Sequence, residues 1–225
     1  MSEGKPIKRI ILHGQAPGLP RFATVTGAAN SRSDLIYLLS PANSAGQRAK
    51  MLLNPRADFE LAQRLKTTGV SLGEAFSFMS SLYFRGKLAY ATTFSQRTGA
   101  VPNTLIITSS RGLVRPETMV GLRELEDISR ERIVAHNPRY CDPLERDLRL
   151  LSEAMGPRRR AVLLGSIATK KYIPLLLEIL GERLVVPRAF IALGNMQRGA
   201  LLLQCSRDMC ELEYISVAQA LPRIR

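Results

Sequence analysis

Tryptophan is absent from the 225-residue chain, histidine occurs twice and cysteine three times. His13 and His136 lie far apart with no spaced cysteine or carboxylate beside them, so no zinc-site pattern is present. Three sparse cysteines (Cys141, Cys205 and Cys210) argue against a disulfide framework. Cys141 stands near His136, but its place just ahead of Asp142 reads as loop rather than as a thiol nucleophile. No GxSxG, GxxxxGK[ST] or GxGxxG occurs, which leaves serine hydrolysis, ATP hydrolysis and dinucleotide binding without positive support. Aromatic residues make up only 6% of the chain, too few for an evident stacking platform for single strands. No apolar run approaches the ~20 residues of a membrane span. The apolar run in MSEGKPIKRIILHG is too short for a signal peptide and lacks a small-residue cleavage site. A cytoplasmic protein with no membrane partner is expected, and the sequence names neither a cofactor nor a metal.

Acidic residues are the other scarcity. Thirty-two Lys and Arg face 19 Asp and Glu, for a net charge of +13. Residues 1–110 carry 13 basic against 5 acidic side chains and residues 154–225 carry 11 against 5, whereas 111–153 are nearly balanced at 8 against 9. Two basic blocks of this kind favour a polyanionic partner, so a phosphate-bearing ligand or nucleic acid is expected. The plainer alternative is a soluble basic protein with no such partner.

Apolar runs of strand length punctuate the chain. IKRIILH (7–13), FATVT (22–26), TLIIT (104–108), AVLL (161–164) and LVV (184–186) read as strands, and DLIYLLS (34–40) as a strand or a short helix. Helical patterns cover 43–53 (capped by Asn43 or Ser44), 55–66, 71–95, 117–129 and 142–155, with a further helix over 173–180. In the longest of these, Ser71 and Glu74 have capping-box spacing, and Gly86 is expected to bend or split it. Phe76, Met79, Leu82 and Tyr83 read as its core stripe. Asp142 is expected as N-cap of its helix with Pro143 at N1, and Pro174 confines the following helix to a start near Tyr172. Residues 200–206 and 211–217 read as an antiparallel hairpin. Apolar runs buried on both faces and separated by helices indicate a parallel sheet under helices. The expectation is one α/β domain over 1–225: three layers, a mixed and mostly parallel sheet flanked by helices, and a C-terminal antiparallel hairpin. The loop at 97–103 is the one place where it could subdivide.

In such sheets ligands collect at the carboxyl ends of strands. Three small polar turns meet that condition, at 27–33, 109–112 and 165–171, and each carries a cation: Arg32, Arg111, and Lys170 with Lys171. The strand–turn–helix at 158–181 suits an anion because free N–H groups and the helix dipole point into the turn. Candidate phosphate ligands are therefore Asn30, Ser109, Ser110, Arg111, Gly165, Ser166, Thr169, Lys170 and Lys171, with Arg198 on the GNMQRG loop. Asp34 and Glu117, just beyond two of these turns, are candidate acid or base residues. Each has a structural alternative, as a strand-start charge and a first-turn helix carboxylate.

Two segments also carry a resemblance. LYFRGKLAYA (82–91) followed by LIITSSRGLVRP (105–116) resembles an uncharacterised bacterial and phage-borne domain that pairs an LY…F…YA helix with a strand ending in SAK-x-GLV-x-P. That domain is regarded as nucleic-acid-associated and α/β. The likeness covers about 35 residues, with Ser-Ser-Arg standing where the pattern has Ser-Ala-Lys. It implies that Arg85, Ser109, Ser110 and Arg111 sit at a pocket.

The combined expectation is a protein that binds nucleotide or nucleic-acid phosphate at its strand ends, and that could act as an enzyme on a nucleobase, glycosidic or phosphate bond. Two alternatives stand beside it. One is a non-catalytic basic nucleic-acid binder using Arg158, Arg159 and Arg160 together with the N-terminal basic segments. The other is an interaction subunit presenting the apolar 173–180 helix or the hairpin edge.

Overall fold

Five consecutive apolar residues, Leu35–Leu39 (LIYLL), form strand β1, and all five are buried. A run without polar alternation belongs at the centre of a sheet covered on both faces. The fold is described from a computed structural model, which covers residues 35–95 and 103–221. The expected strands at 7–13 and 22–26, and the turn at 27–33, lie outside the described residues. β1 pairs in parallel with β3 (Thr104–Ile107) on one side and with β6 (Arg160–Leu164) on the other. The register sets Leu35 opposite Arg160 and Leu39 opposite Leu164. β7 (Leu184–Pro187) continues the parallel set beside β6. Among the described residues antiparallel strands stand at both edges: β4 (Leu113–Val114) against β3, and β8 (Tyr214–Ser216) against β7. The six-stranded order is β4-β3-β1-β6-β7-β8. A separate two-stranded antiparallel pair joins β2 (Val70–Ser71) and β5 (Met119–Val120). This is the expected three-layer α/β architecture, with a mixed and mostly parallel sheet flanked by helices.

The helices, in chain order, are α1 (Gln47–Leu52), α2 (Glu60–Thr67), α3 (Leu72–Phe94), α4 (Leu122–Arg130), α5 (Pro138–Met155), α6 (Ile173–Leu180), α7 (Asn195–Arg207) and α8 (Val217–Ala220). Among the described residues no helix is long and apolar enough to cross a membrane. Ser71 caps α3 as expected, accepting from the Glu74 amide at 3.2 Å. Gly86 does not split that helix, which runs unbroken from Leu72 to Phe94. It permits contact instead: a Cβ at Gly86 would lie 2.6 Å from the Gly199 carbonyl oxygen, and one at Gly199 would lie 2.9 Å from the Tyr83 Cα. α3 and α7 therefore cross backbone to backbone.

Four local expectations are corrected. Residues 200–206 belong to α7, so the C-terminal antiparallel pair is built from β7 and β8 with α7 between them. The triple leucine 201–203 suits a buried helix as well as a strand, and the contact with Gly86 selects the helix. α5 starts at Pro138 under an Asn137 cap, not at Asp142, and Pro143 lies inside it. Tyr140 extends the buried stripe of Leu144, Leu148, Leu151 and Met155 by one turn, and that burial outweighs the break that an internal proline favours. α4 begins at Leu122, because Met119 and Val120 are drawn into pairing with β2. α1 begins after Gly46, since Asn43 and Ser44 remain in the loop that leaves β1.

Candidate functional site

Strand order decides where a ligand crevice forms. From β1 the chain steps to β3 on one side, then returns across to β6 and β7 on the other. The connections leaving β1 and β6 thus diverge, and crevices form at the carboxyl ends of strands at such a switch point. A cleft of about 830 Å³ opens there. That volume is within the usual range for small-molecule sites, about 300–1,000 Å³. Its walls come from the loop after β1 (40–45), the turn after β6 (166–172), one face of α3, the start of α7, and the end of α4 with the segment after it (129–134).

The β1 and β6 ends are drawn tightly together. The Ser40 amide donates to the Leu164 carbonyl at 3.2 Å. A Cβ on Gly165 would fall 2.8 Å from Ser40 Cβ and 3.0 Å from the Tyr172 hydroxyl, so only glycine fits without a shift. Tyr172 donates its hydroxyl proton to the Ser166 carbonyl at 3.0 Å, and burial pushes its pKa up to about 12. The loop beyond Ser40 is also held: Ser80 Oγ accepts from the Asn43 amide at 2.6 Å, and Asn43 Oδ1 accepts from the Ala45 amide at 3.2 Å.

Lys87, on α3, lines this cleft and is 1% exposed. Its Nζ donates to the Ser40 carbonyl at 2.6 Å and to Ser40 Oγ at 2.9 Å. The same nitrogen lies 4.7 Å from the ring centroids of both Tyr83 and Phe84. Among the described residues no carboxylate forms an ion pair with it. Burial pulls its pKa down to about 7. A lysine is almost never fully buried unless paired, so this position is unusual. Two further cleft residues, Tyr83 and Ser129, have buried hydroxyl oxygens with no hydrogen-bond partner among the described residues. Burial raises the Tyr83 pKa, and the Arg198 guanidinium offsets part of that rise. Buried polar atoms are ordinarily satisfied; Tyr140 Oη, Arg160 Nη2 and Ser216 Oγ also lack a partner among the described residues but lie outside the cleft lining, so Tyr83 and Ser129 are the two that face it.

Among the described residues, charge in the lining is mostly positive: Lys87, Lys171, Arg130 and Arg132 face one acid, Glu131. Glu131 is already engaged by the Asn137 side chain and by Arg139 at 3.8 Å. Arg130 is held by Glu126 at 3.1 Å and reaches Asp127 at 4.0 Å. Lys171 and Arg132 form no ion pair among the described residues.

Of the residues singled out from the sequence, Ser166, Thr169 and Lys171 line this cleft, and Gly165 packs behind the lining residues Ser40 and Tyr172. Lys170 is exposed outside the lining. The 109–112 turn is not brought there. Its donors are spent internally, with Ser109 Oγ on the Ile128 carbonyl and the Arg111 amide on Thr108 Oγ1 at 3.0 Å. The Arg111 guanidinium pairs with Glu124 at 3.1 Å, and Ser110 is half-buried outside the lining. Arg85 is exposed outside the cleft. Arg198 donates through Nε and Nη2 to the Phe190 carbonyl, at 3.1 and 2.5 Å, and its guanidinium lies over the Phe190 ring. Glu117 lies in an exposed turn before β5 and is not a first-turn helix residue. Asn30, Arg32 and Asp34 lie outside the described residues. Sequence reasoning missed Lys87, Ser40 and the 129–134 wall. Compared with models of known protein families, with curated proteins and with solved structures, the chain matches none of them.

Proposed function

We propose that the cleft at the ends of β1 and β6 binds a phosphate-bearing small molecule of the nucleotide or sugar-phosphate class. The observation that carries this reading is the lining itself: among the described residues, cations without an ion pair and hydroxyls without a hydrogen bond face a cleft whose one acid is already engaged. Lys171 and Arg132 supply charge for the phosphate. The hydroxyls of Ser166, Thr169, Ser44 and Ser80 line the same walls and serve as hydrogen-bond partners, and the non-phosphate portion extends toward Lys87 and Tyr83. Should the bound molecule be transformed, donors held fixed by the fold stabilise developing charge better than bulk water does.

The basic surface at Arg158 and Arg159 supports the second reading, contact with nucleic-acid backbone. It adjoins the amino end of β6, and the cleft lies at the carboxyl end about 17 Å away, from five residues at about 3.3 Å each. The interaction-subunit reading receives less support, because α6 buries Ile173, Leu176 and Leu180 in the core.

Thermal shift with nucleoside monophosphates, sugar phosphates and short duplexes tests this reading, at low and at raised salt. A small-molecule shift that survives salt is expected, and Tyr83→Phe and Lys171→Ala are expected to weaken it. Tyr83→Phe should leave unliganded stability unchanged or slightly raised, since it removes an unsatisfied buried hydroxyl. Shifts confined to duplexes, lost with salt and removed by neutralising Arg158 and Arg159, would replace the cleft by the charged surface.

A further inference from the structure

Ser40 offers the Lys87 nitrogen two acceptors, its carbonyl and its Oγ. A neutral amine has two hydrogens to donate, and both are placed. Its lone pair is then left without a hydrogen-bonding role. An ammonium would carry a third hydrogen, for which the described residues provide only the faces of Tyr83 and Phe84. The lysine is buried, unpaired with any carboxylate among the described residues, and part of the lining of a cleft at the switch point. The protonated hydroxyl of Tyr83 lines the cleft beside it, makes no well-aligned hydrogen bond among the described residues, and has the Arg198 guanidinium close by. Desolvated lysines in apolar pockets act as amine nucleophiles toward carbonyl compounds.

We propose that Lys87 forms an imine with an aldehyde or ketone carried by the cleft's ligand, so that the substrate is a phosphorylated carbonyl compound such as an aldose or ketose phosphate. The inference rests on the phosphate reading for the phosphorylated half of that substrate and not for the carbonyl half. In the step, the Nζ lone pair attacks the carbonyl carbon and the C=O π pair moves to oxygen, forming a carbinolamine. The carbon–oxygen bond then breaks and a carbon–nitrogen double bond forms. Both amine hydrogens leave with the oxygen as water, with the Tyr83 hydroxyl relaying a proton to the departing oxygen and regaining one from nitrogen. Nothing is oxidised or reduced. The depressed pKa of about 7 keeps a large share of the amine neutral near neutrality.

Reductive trapping tests this on the full chain. The protein is incubated with glycolaldehyde phosphate, or with uncharged glycolaldehyde, in the presence of cyanoborohydride, and the adducts are mapped by peptide mass spectrometry. The expected result is modification of Lys87 before the exposed lysines, by about tenfold or more, with saturation in the phosphorylated probe and competition by inorganic phosphate. Tyr83→Phe should slow trapping at Lys87 without altering the labelling of exposed Lys170, a split that loss of folding would not produce. Adducts spread over surface lysines with Lys87 unmodified would overturn the inference. The two readings fail separately. If glycolaldehyde traps Lys87 and the phosphorylated probe gains nothing, the imine stands and the phosphate reading falls. A thermal shift with the phosphorylated probe and no Lys87 adduct leaves phosphate binding standing and removes the imine.

Discussion

Lys87→Met probes the buried amine through folding alone, with no ligand needed. Methionine is of similar length and carries no charge. In the wild type, burial lowers the lysine pKa from 10.5 to about 7, so its folded value lies below its unfolded one. Between those values the unfolded chain binds more protons than the folded chain, and stability rises with pH. The cost of holding the lysine is about 5 kcal/mol well below neutrality and fades to nothing above the unfolded pKa, on the scale of about 1.4 kcal/mol per tenfold. Between about pH 6 and about pH 9 the same linkage returns about 2–3 kcal/mol to the wild type. The variant has no such dependence. It strands the Ser40 carbonyl and Oγ, which costs about 1–3 kcal/mol for each buried group at every pH.

The two proteins are therefore expected to lie close in stability near pH 6, with the wild type pulling ahead as pH rises. Urea melts of both proteins across this range give the difference, in which contributions from all other titrating groups cancel. In thermal melts the gap should move by roughly 5–10 °C, at roughly 2–4 °C per kcal/mol for a chain of this size. Parallel stability curves would show that Lys87 titrates as an ordinary exposed lysine. A wild type that loses ground as pH rises would show that its charged form is the stabilised one. Either result refutes the description of this amine as desolvated and unpaired.

Gly86→Ala should lower unfolding stability by about 1–3 kcal/mol even though alanine is the better helix former by about 1 kcal/mol, because its Cβ meets the Gly199 backbone at 2.6 Å; chemical denaturation measures this, and a stabilised variant would show that α3 and α7 do not cross so closely. Glu211 Oε1 accepts from the hydroxyls of Tyr37 and Tyr214, each at 3.0 Å, and Tyr214 contacts Tyr90 at 2.7 Å. Glu211→Ala should therefore cost about 1.5–3 kcal/mol with Glu211→Gln recovering part of it, whereas equal losses for both variants would deny the carboxylate its acceptor role.

Three of the parallel strands were readable from local pattern, because TLII, AVLL and LVV are short apolar runs of the kind a covered parallel sheet accommodates, whereas LIYLL fitted a strand or a short helix and the two-residue strands β2, β4 and β5 carried no local signal. The terminal hairpin was misread for a definable reason. ALLLQ satisfies both a strand and a buried helix, and what separates them is the backbone contact of Gly199 with Gly86, more than a hundred residues away in sequence. Pro143 misled in the same manner, since the local rule against internal proline was outweighed by the burial of Tyr140 one turn earlier.

The site was half legible, and the missing half follows from what a local reading cannot contain. Strand-end turns can be found in sequence, but only strand order reveals which of them flank the switch point. β6 borders it, so Ser166, Thr169 and Lys171 reach the cleft, whereas the turn after β3 spends its donors on Ile128 and Thr108. β1 borders it too, but 34–40 reads equally as strand or helix, which hid the role of Ser40. Lys87 carried a signal that was there to be used. Phe76, Met79, Tyr83, Tyr90 and Phe94 repeat at helical spacing on α3, and Lys87 falls on that stripe between Tyr83 and Tyr90. A lysine on a core stripe usually extends its amine past the rim to water. Here the stripe runs onto the carboxyl end of β1, where the amine is met by Ser40 and not by solvent. Periodicity therefore places the side chain on the buried face, and sheet order makes that face the floor of a cleft; neither alone distinguishes a snorkelling lysine from a buried amine.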